Sequence, residues 1–276
     1  MLRSMKDLEG YAIGATDGTI GYVKDLYFDD ESWTVRYFVV DTGGWLSSRE
    51  VLISPFSIGK LTGSERVLPA SLTREKVKNS PDIDTDEPVS RQHEREYLGY
   101  YGYPLYWGGE GYWGDEFYPD SMLAGWDGEP VRRAATGPHD PTVADVETMS
   151  EPYADSHLRS CQTVRGYHVH ASDGDIGHVE GMLVDDETWA IRYLIVNTSN
   201  WWVGQKVLVA SEWIDSVSWG DAKVSVDLAR QAVKDSPLFI HSAPLDRQQE
   251  ARLYDHYGRR GYWTDEPKRE TAISPI

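Results

Sequence analysis

The spacing of apolar residues near the start of the chain is that of β-strands. Three runs, Gly10 to Ala15, Ile20 to Phe28 and Trp33 to Asp41, are separated by Thr-Asp-Gly-Thr and Asp-Asp-Glu-Ser. Glycine supplies the positive φ of a tight turn, and Asp or Ser side chains bond their own backbone, so these separators predict a three-stranded meander. The third run contains Val-Arg-Tyr-Phe-Val-Val, whose β-branched and aromatic residues suit a strand buried on both faces. Shorter strands are predicted at Glu50 to Ser54, Phe56 to Leu61 and Arg66 to Pro69. Six short antiparallel strands leave two unpaired edges in an open sheet, and closure into a small barrel removes them. A short helix is expected next, with Ser71 as N-cap and Ser80-Pro81 as stop, and a second helix from about Ser90.

The same pattern then returns. A shift of 156 residues lays positions 2–107 on 158–263 without a gap, and 37 of the 106 positions are identical. Gly10-Tyr11 falls on Gly166-Tyr167, and Asp17-Gly18-Thr19-Ile20-Gly21 on Asp173-Gly174-Asp175-Ile176-Gly177. Asp29-Asp30-Glu31-Ser32-Trp33 falls on Asp185-Asp186-Glu187-Thr188-Trp189, and Arg36-Tyr37 on Arg192-Tyr193. Val77-Lys78 and Tyr106-Trp107 find Val233-Lys234 and Tyr262-Trp263. A unit of this length is a domain, so the chain is a tandem duplication and not a solenoid. In the second copy, Asp227 and Asp246 are the expected helix N-caps. Between the copies, residues 108–156 hold eleven Asp and Glu against two Arg, which reads as an extended acidic linker. The stretch from Tyr97 to Trp126 nevertheless carries eleven aromatic residues in thirty, enough apolar area to require packing on one copy or across both.

Composition narrows the function. The 276 residues carry a net charge of −18, which argues against a phosphate backbone as partner and against a polybasic membrane anchor. The single cysteine, Cys161, forms no intramolecular disulfide, in keeping with a reducing cytoplasm. No apolar run approaches the roughly 20 residues of a membrane span, and the first residues lack the apolar core of a secretory signal. A cytoplasmic protein without membrane insertion is expected.

The pattern Leu-x-Gly-Tyr, then Asp-Gly-x-Ile-Gly-x-Val, Asp-Asp and Trp-x-(Val/Ile)-Arg-Tyr, present twice in register, resembles the PRC-barrel family. That family includes the cytoplasmic region of the photosynthetic reaction-centre H subunit and the C-terminal domain of the ribosome-maturation factor RimM. The resemblance is best over residues 2–81 and 158–237 and implies small β-barrels used for protein association, with no shared catalytic residues. The chain lacks the H subunit's membrane helix and RimM's N-terminal barrel, so neither role transfers by fold alone.

Few residues suggest chemistry. The shared carboxylates Asp17, Asp29, Asp30 and Glu31, with Asp173, Asp185, Asp186 and Glu187, could bind a cation or form an acid–base pair, but turn chemistry explains them where they stand. Arg36 and Arg192 interrupt apolar strands and need partners, for which the preceding aspartates are nearest in sequence. His168 and His170 share a strand face, with His178 on the neighbouring strand, a spacing open to a metal in the second copy alone. Cys161 has no adjacent histidine and reads as an apolar packing residue. Trp45 and the pair Trp201-Trp202 fall in loops after the central strand, where tryptophan caps a barrel or makes an interface.

The expected protein is mainly β: two small antiparallel PRC-type barrels, each followed by short helices, packed as a pseudo-twofold pair. Its parts are a first barrel (1–82), a helical aromatic extension (83–107), the acidic linker (108–156), a second barrel (157–238) and a helical tail (239–276). The expected function is non-enzymatic protein interaction or scaffolding, with an unknown protein partner or a homo-oligomer, no nucleic acid, and no cofactor. Candidate interface residues are Trp45, Trp201, Trp202, Arg36, Arg192, Tyr106, Trp107, Tyr112 and Trp113. The alternatives are an RNA-processing or ribosome-associated factor by analogy to RimM, a reaction-centre-associated role, and an enzyme or metal-binding protein with a site between the barrels.

Overall fold

The computed structural model describes residues 1–47, 49–61, 66–81, 89–107, 109–123, 157–198, 204–240 and 245–266. Its strands are β1 (Leu2–Ser4), β2 (Ala12–Ala15), β3 (Gly18–Asp29), β4 (Thr34–Asp41), β5 (Glu50–Ile53) and β6 (Val67–Pro69) in the first half. The second half holds β7 (Leu158–Ser160), β8 (His168–Ala171), β9 (Gly174–Asp185), β10 (Ile191–Asn197), β11 (Lys206–Ala210), β12 (Ile214–Ser218) and β13 (Lys223–Val226). The meander is antiparallel as its turns predict, in the order β5-β4-β3-β2-β6. The last strand is the exception: β6 lies parallel to β2, and β13 parallel to β8. β6 does not follow β5 in that order but pairs with β2 at its opposite end, a crossover and not a hairpin, so nothing requires it to run antiparallel. Around Phe56, where the sequence predicts a strand, Pro55–Ser57 instead forms a 3-10 turn that the Ser54 side chain caps. Ile58 then bridges to Ala70, which brings the sheet's two ends together.

The Asp-Gly-x-Ile-Gly motif has a steric origin. Gly18 and Gly174 turn the hairpin at φ of +139° and +136°. Gly21 and Gly177 let β3 and β9 press on the neighbouring strand: a Cβ there would stand 2.1 Å from the carbonyl oxygen of Asp41 or Asn197. No side chain fits at either position.

The first strand of each half pairs with the other half. β1 lies antiparallel on β9, with Arg3 opposite Val184, and β7 lies antiparallel on β3, with Arg159 opposite Phe28. Side chains repeat the exchange, since Arg3 Nε donates to Asp186 at 2.6 Å and Arg159 Nε to Asp30 at 2.8 Å. The backbone does so again: Asp186 N donates to the Met1 carbonyl and Asp30 N to the His157 carbonyl, both at 3.0 Å. Where the halves meet, Val35 N donates to the Trp189 carbonyl and Ile191 N to the Trp33 carbonyl. Trp33 and Trp189 present those carbonyls from the left-handed region, at φ of 51° and 62°, a strain of about 1–2 kcal/mol each that the cross-half bonds and the ring contacts with Phe28 and Phe38 offset. The Trp189 ring sits edge-on to Phe38, 4.9 Å between centroids, and is 3% exposed. The two halves thus form a pseudo-twofold pair.

Both halves carry short helices outside the sheets. Arg74–Lys78 is capped by Thr73, not Ser71, and its mate Arg230–Lys234 begins after Ala229 without a side-chain cap, while Asp227 pairs with Arg259. The first backbone N–H of each helix is met instead by the hairpin aspartate, Asp17 for Arg74 and Asp173 for Arg230. The longer helices Arg91–Tyr101 and Arg247–His256 start at Ser90 and Asp246 as the sequence predicts, the latter with a full capping box. Among the described residues, no helix is long and apolar enough to cross a membrane.

Removing residues 1–4 strips β9 of its outer partner while leaving the first half's own pairings in place. The truncated protein is expected to lose about 2–4 kcal/mol, from three strand positions and a charged bond, with amide exchange accelerating at Leu183–Asp185 in the second half. Acceleration confined to the first half would contradict the exchange.

Candidate functional site

The polar residues that both halves share converge around the arginine of the central strand. Arg36 on β4 is 3% exposed. It donates to the Tyr112 carbonyl and to Ser32 Oγ, and lies 3.9 Å from Asp29. Its guanidinium covers the Tyr106 ring at 3.9 Å and stands 4.9 Å from that of Trp113. Next along the strand, the Tyr37 hydroxyl donates to Glu94 at 2.9 Å, and Tyr106 donates to the same carboxylate. Glu94 is wholly buried and also meets His157 Nε2 at 2.8 Å and Arg91 at 3.6 Å. Every charge withdrawn from water in this cluster therefore faces an opposite one.

The second half repeats the arrangement around Glu250 and changes the partners of its arginine. Tyr193 and Tyr262 donate to Glu250 at 2.8 and 2.9 Å, and Arg247 pairs with Glu250 at 3.0 Å. Arg192 lies 4.1 Å over the Tyr262 ring and 3.4 Å from Asp185. It also holds the Glu266 carboxylate through both terminal nitrogens, at 2.5 and 3.1 Å, and donates to the Tyr112 hydroxyl at 2.7 Å. Burial pushes the Arg36 guanidinium below its ordinary value. Burial opposes the charge of Arg192 too, but Tyr112, Glu266 and Asp185 outweigh it and hold this guanidinium above the ordinary value.

The aspartates of the turns are all engaged. Asp29 accepts from the backbone N–H of Glu31 and Ser32, Asp185 from that of Glu187, and Asp30 and Asp186 hold the exchanged arginines. Burial alone would raise the Asp29 carboxyl, but Arg36 and the Ser32 N–H prevail and hold it below the ordinary 3.8. The buried Asp25 goes the other way: burial raises it despite bonds from Ser160 Oγ at 2.5 Å and Gln162 N at 3.1 Å. These bonds come from the other half and fasten β7 and the turn after it to β3.

Tyr106 and Trp113 are buried, and Tyr112 and Trp107 partly so. Trp113 Nε1 donates to the Thr188 carbonyl at 2.8 Å, so the aromatic stretch after the first helices packs across the boundary onto the second half. Trp107 lies under Arg91 at 4.6 Å. Trp45 closes the end of the first sheet, with Nε1 donating to the Ile20 carbonyl at 2.6 Å and Arg74 over its ring at 4.2 Å. Trp201, Trp202 and linker residues 124–156 lie outside the described residues. His168 stands opposite His178 across β8 and β9, while His170 Nδ1 lies 2.7 Å from Asp175. Among the described residues, no three His, Cys, Asp or Glu groups stand together as a metal-holding set. Cys161 is buried, and burial pushes its thiol well up, away from nucleophilic use.

Sequence reasoning did not single out Glu94, Glu250, Arg91 or Arg247 as partners of the strand arginines. The signal was present, since Arg-Gln-x-Glu recurs at 91–94 and 247–250. Asp29 yields a pH test. Its folded value lies below the unfolded one, so its contribution is present above pH 3.8 and disappears as pH falls through the folded value. Asp29→Asn is expected to cost about 1.5–3 kcal/mol at pH 7 and to flatten the loss of stability below pH 4 in urea melts. An unchanged acid limb would contradict this role.

Comparison with known proteins follows the same architecture. Residues 3–61 match the PRC-barrel domain. An uncharacterised protein of Deinococcus radiodurans is 38% identical over 99 residues, covering 31% of this chain and 35% of that relative; the chain thus spans about a third of the relative it matches. The β3–β4 hairpin, the glycines at 18 and 21 and the buried Arg36 lie inside the matched segment, and the second half repeats them in register. The chain carries a PRC-barrel domain at residues 3–61.

Proposed function

We propose that the chain is a non-enzymatic interaction module whose two halves, tied by exchanged strands, present a protein-binding surface at the outer end of the second half. The observation that supports this reading is an apolar groove of about 280 Å³ walled by Leu208, Leu238, Phe239, Ile240, Leu245 and Leu253. Leu238 and Ile240 are 57% and 65% exposed, and adjoining exposed aliphatic side chains at a groove mark a contact surface. The first half has aspartate at both corresponding positions, Asp82 and Asp84, so the apolar edge distinguishes the second copy. Arg252 lines the same groove. The partner that fits is a protein segment with aliphatic anchors flanked by a carboxylate.

The fate of the shared ionisable groups favours a scaffold over a reaction centre. Arg36, Asp29 and Glu94, with their mates Arg192, Asp185 and Glu250, are engaged in holding strands, turns and helices together. The ribosomal and reaction-centre analogies gain no residue from this geometry.

Placing a photo-crosslinking amino acid at Gln249, on the groove wall, tests the reading in native cells. A discrete protein adduct is expected, reduced at least about tenfold, equivalent to 1.4 kcal/mol, by Leu238→Ser with Ile240→Ser. Absence of an adduct, or an adduct indifferent to those substitutions, would remove the proposal. An adduct of twice the chain's mass would replace a foreign partner by a second copy of this protein.

A further inference from the structure

The two halves treat one place differently. On the first half the Trp113 ring fills a slot. Phe56 stands 4.8 Å from it between centroids, the Arg36 guanidinium 4.9 Å from its centroid and the Tyr106 ring 6.2 Å away, while the Thr188 carbonyl accepts its N–H. The 156-residue repeat maps these four neighbours onto Glu212, Arg192, Tyr262 and Ser32. All four line a single partly open cavity of about 340 Å³ on the second half, with Trp33 and Tyr112 among its walls. The alignment of the two copies ends at Trp107 and Trp263, short of Trp113, so the repeat supplies no counterpart of that ring to this second slot.

We propose that this cavity binds a small planar aromatic ring that carries an N–H donor and a cationic amine, an arylalkylamine of the tryptamine class. The walls that seat an indole on the first half have counterparts here: a guanidinium, a tyrosine ring, and Ser32, whose carbonyl corresponds to that of Thr188. The carbonyl of Ser32 accepts from Thr34 Oγ1, and its second lone pair serves the ring. The one wall that changes sets the charge of the ligand. Glu212 stands where Phe56 closes the first slot, and Glu31 lines the same cavity, so an ammonium group finds carboxylates and an acidic substituent is repelled. Arg192 does not oppose the amine, because Glu266 and Asp185 already face its charge.

Calorimetric titration of the full chain with tryptamine, indole and indole-3-acetate tests the assignment. Tryptamine is expected to bind saturably at one site, about tenfold tighter than indole, a difference of 1.4 kcal/mol, with indole-3-acetate weakest. Glu212→Gln is expected to bring tryptamine down to the level of indole. Glu212→Phe installs the residue of the first slot and is expected to abolish binding of all three while preserving the melting temperature. No saturable tryptamine binding, equal affinity for the three probes, or binding unaffected by Glu212→Phe would overturn the proposal.

Discussion

The reciprocal exchange of one short strand is the constraint on which the rest of the structure depends. β1 and β7 have only three residues each, too few to hold a place by backbone bonds alone. They are fixed by Arg3 on Asp186 and Arg159 on Asp30, charge-assisted bonds reaching from each half to the other. The aspartates lie in the turns between the long central strands, beside the strained Trp33 and Trp189. Each turn therefore closes its own hairpin, anchors the other half's first strand and offers a carbonyl to the other half's central strand. Substitution at these turns acts on both halves at once.

The buried arginines extend the same logic outward. Arg36 and Arg192 lie on strands whose neighbouring residues are apolar and buried, where a lone charge costs several kcal/mol. Their position makes the following helices obligatory, because Tyr106, Tyr262 and the glutamates Glu94 and Glu250 complete the polar shell. The halves diverge at its edge. The first closes with Trp113 reaching over to Thr188, and the second with Glu266 on Arg192 and a cavity alongside. Duplication supplied two equal frames; on the first, Trp113 fills the slot, and on the second, among the described residues, a cavity lies at the corresponding place.

Much of this was legible in the residues. The meander follows from turn chemistry at Asp17-Gly18 and Asp29-Asp30, the helix starts from Ser90 and Asp246, and the need for Arg36 to find Asp29 from its place in an apolar strand. The exchange was not legible, because Leu-Arg-Ser has no periodicity and identical copies at 2–4 and 158–160 fit either half equally well. The 3-10 turn at Pro55–Ser57 and the parallel entry of β6 likewise depend on how the sheet curls, which short-range patterns do not encode. The aromatic stretch announced that it packs, but whether Trp113 would meet its own half or the other depended on long-range geometry.

Identical Leu-Arg-Ser segments make the choice of partner strand the most direct measurement of the central claim. In an antiparallel pair, α-protons of facing residues are close enough for nuclear Overhauser contacts, and the chain can be labelled for that purpose. The exchanged fold predicts cross-strand contacts from Leu2–Ser4 to Leu183–Asp185 and from Leu158–Ser160 to Tyr27–Asp29. Contacts from Leu2–Ser4 to Tyr27–Asp29 instead would mean that each half keeps its own first strand, and would contradict the account.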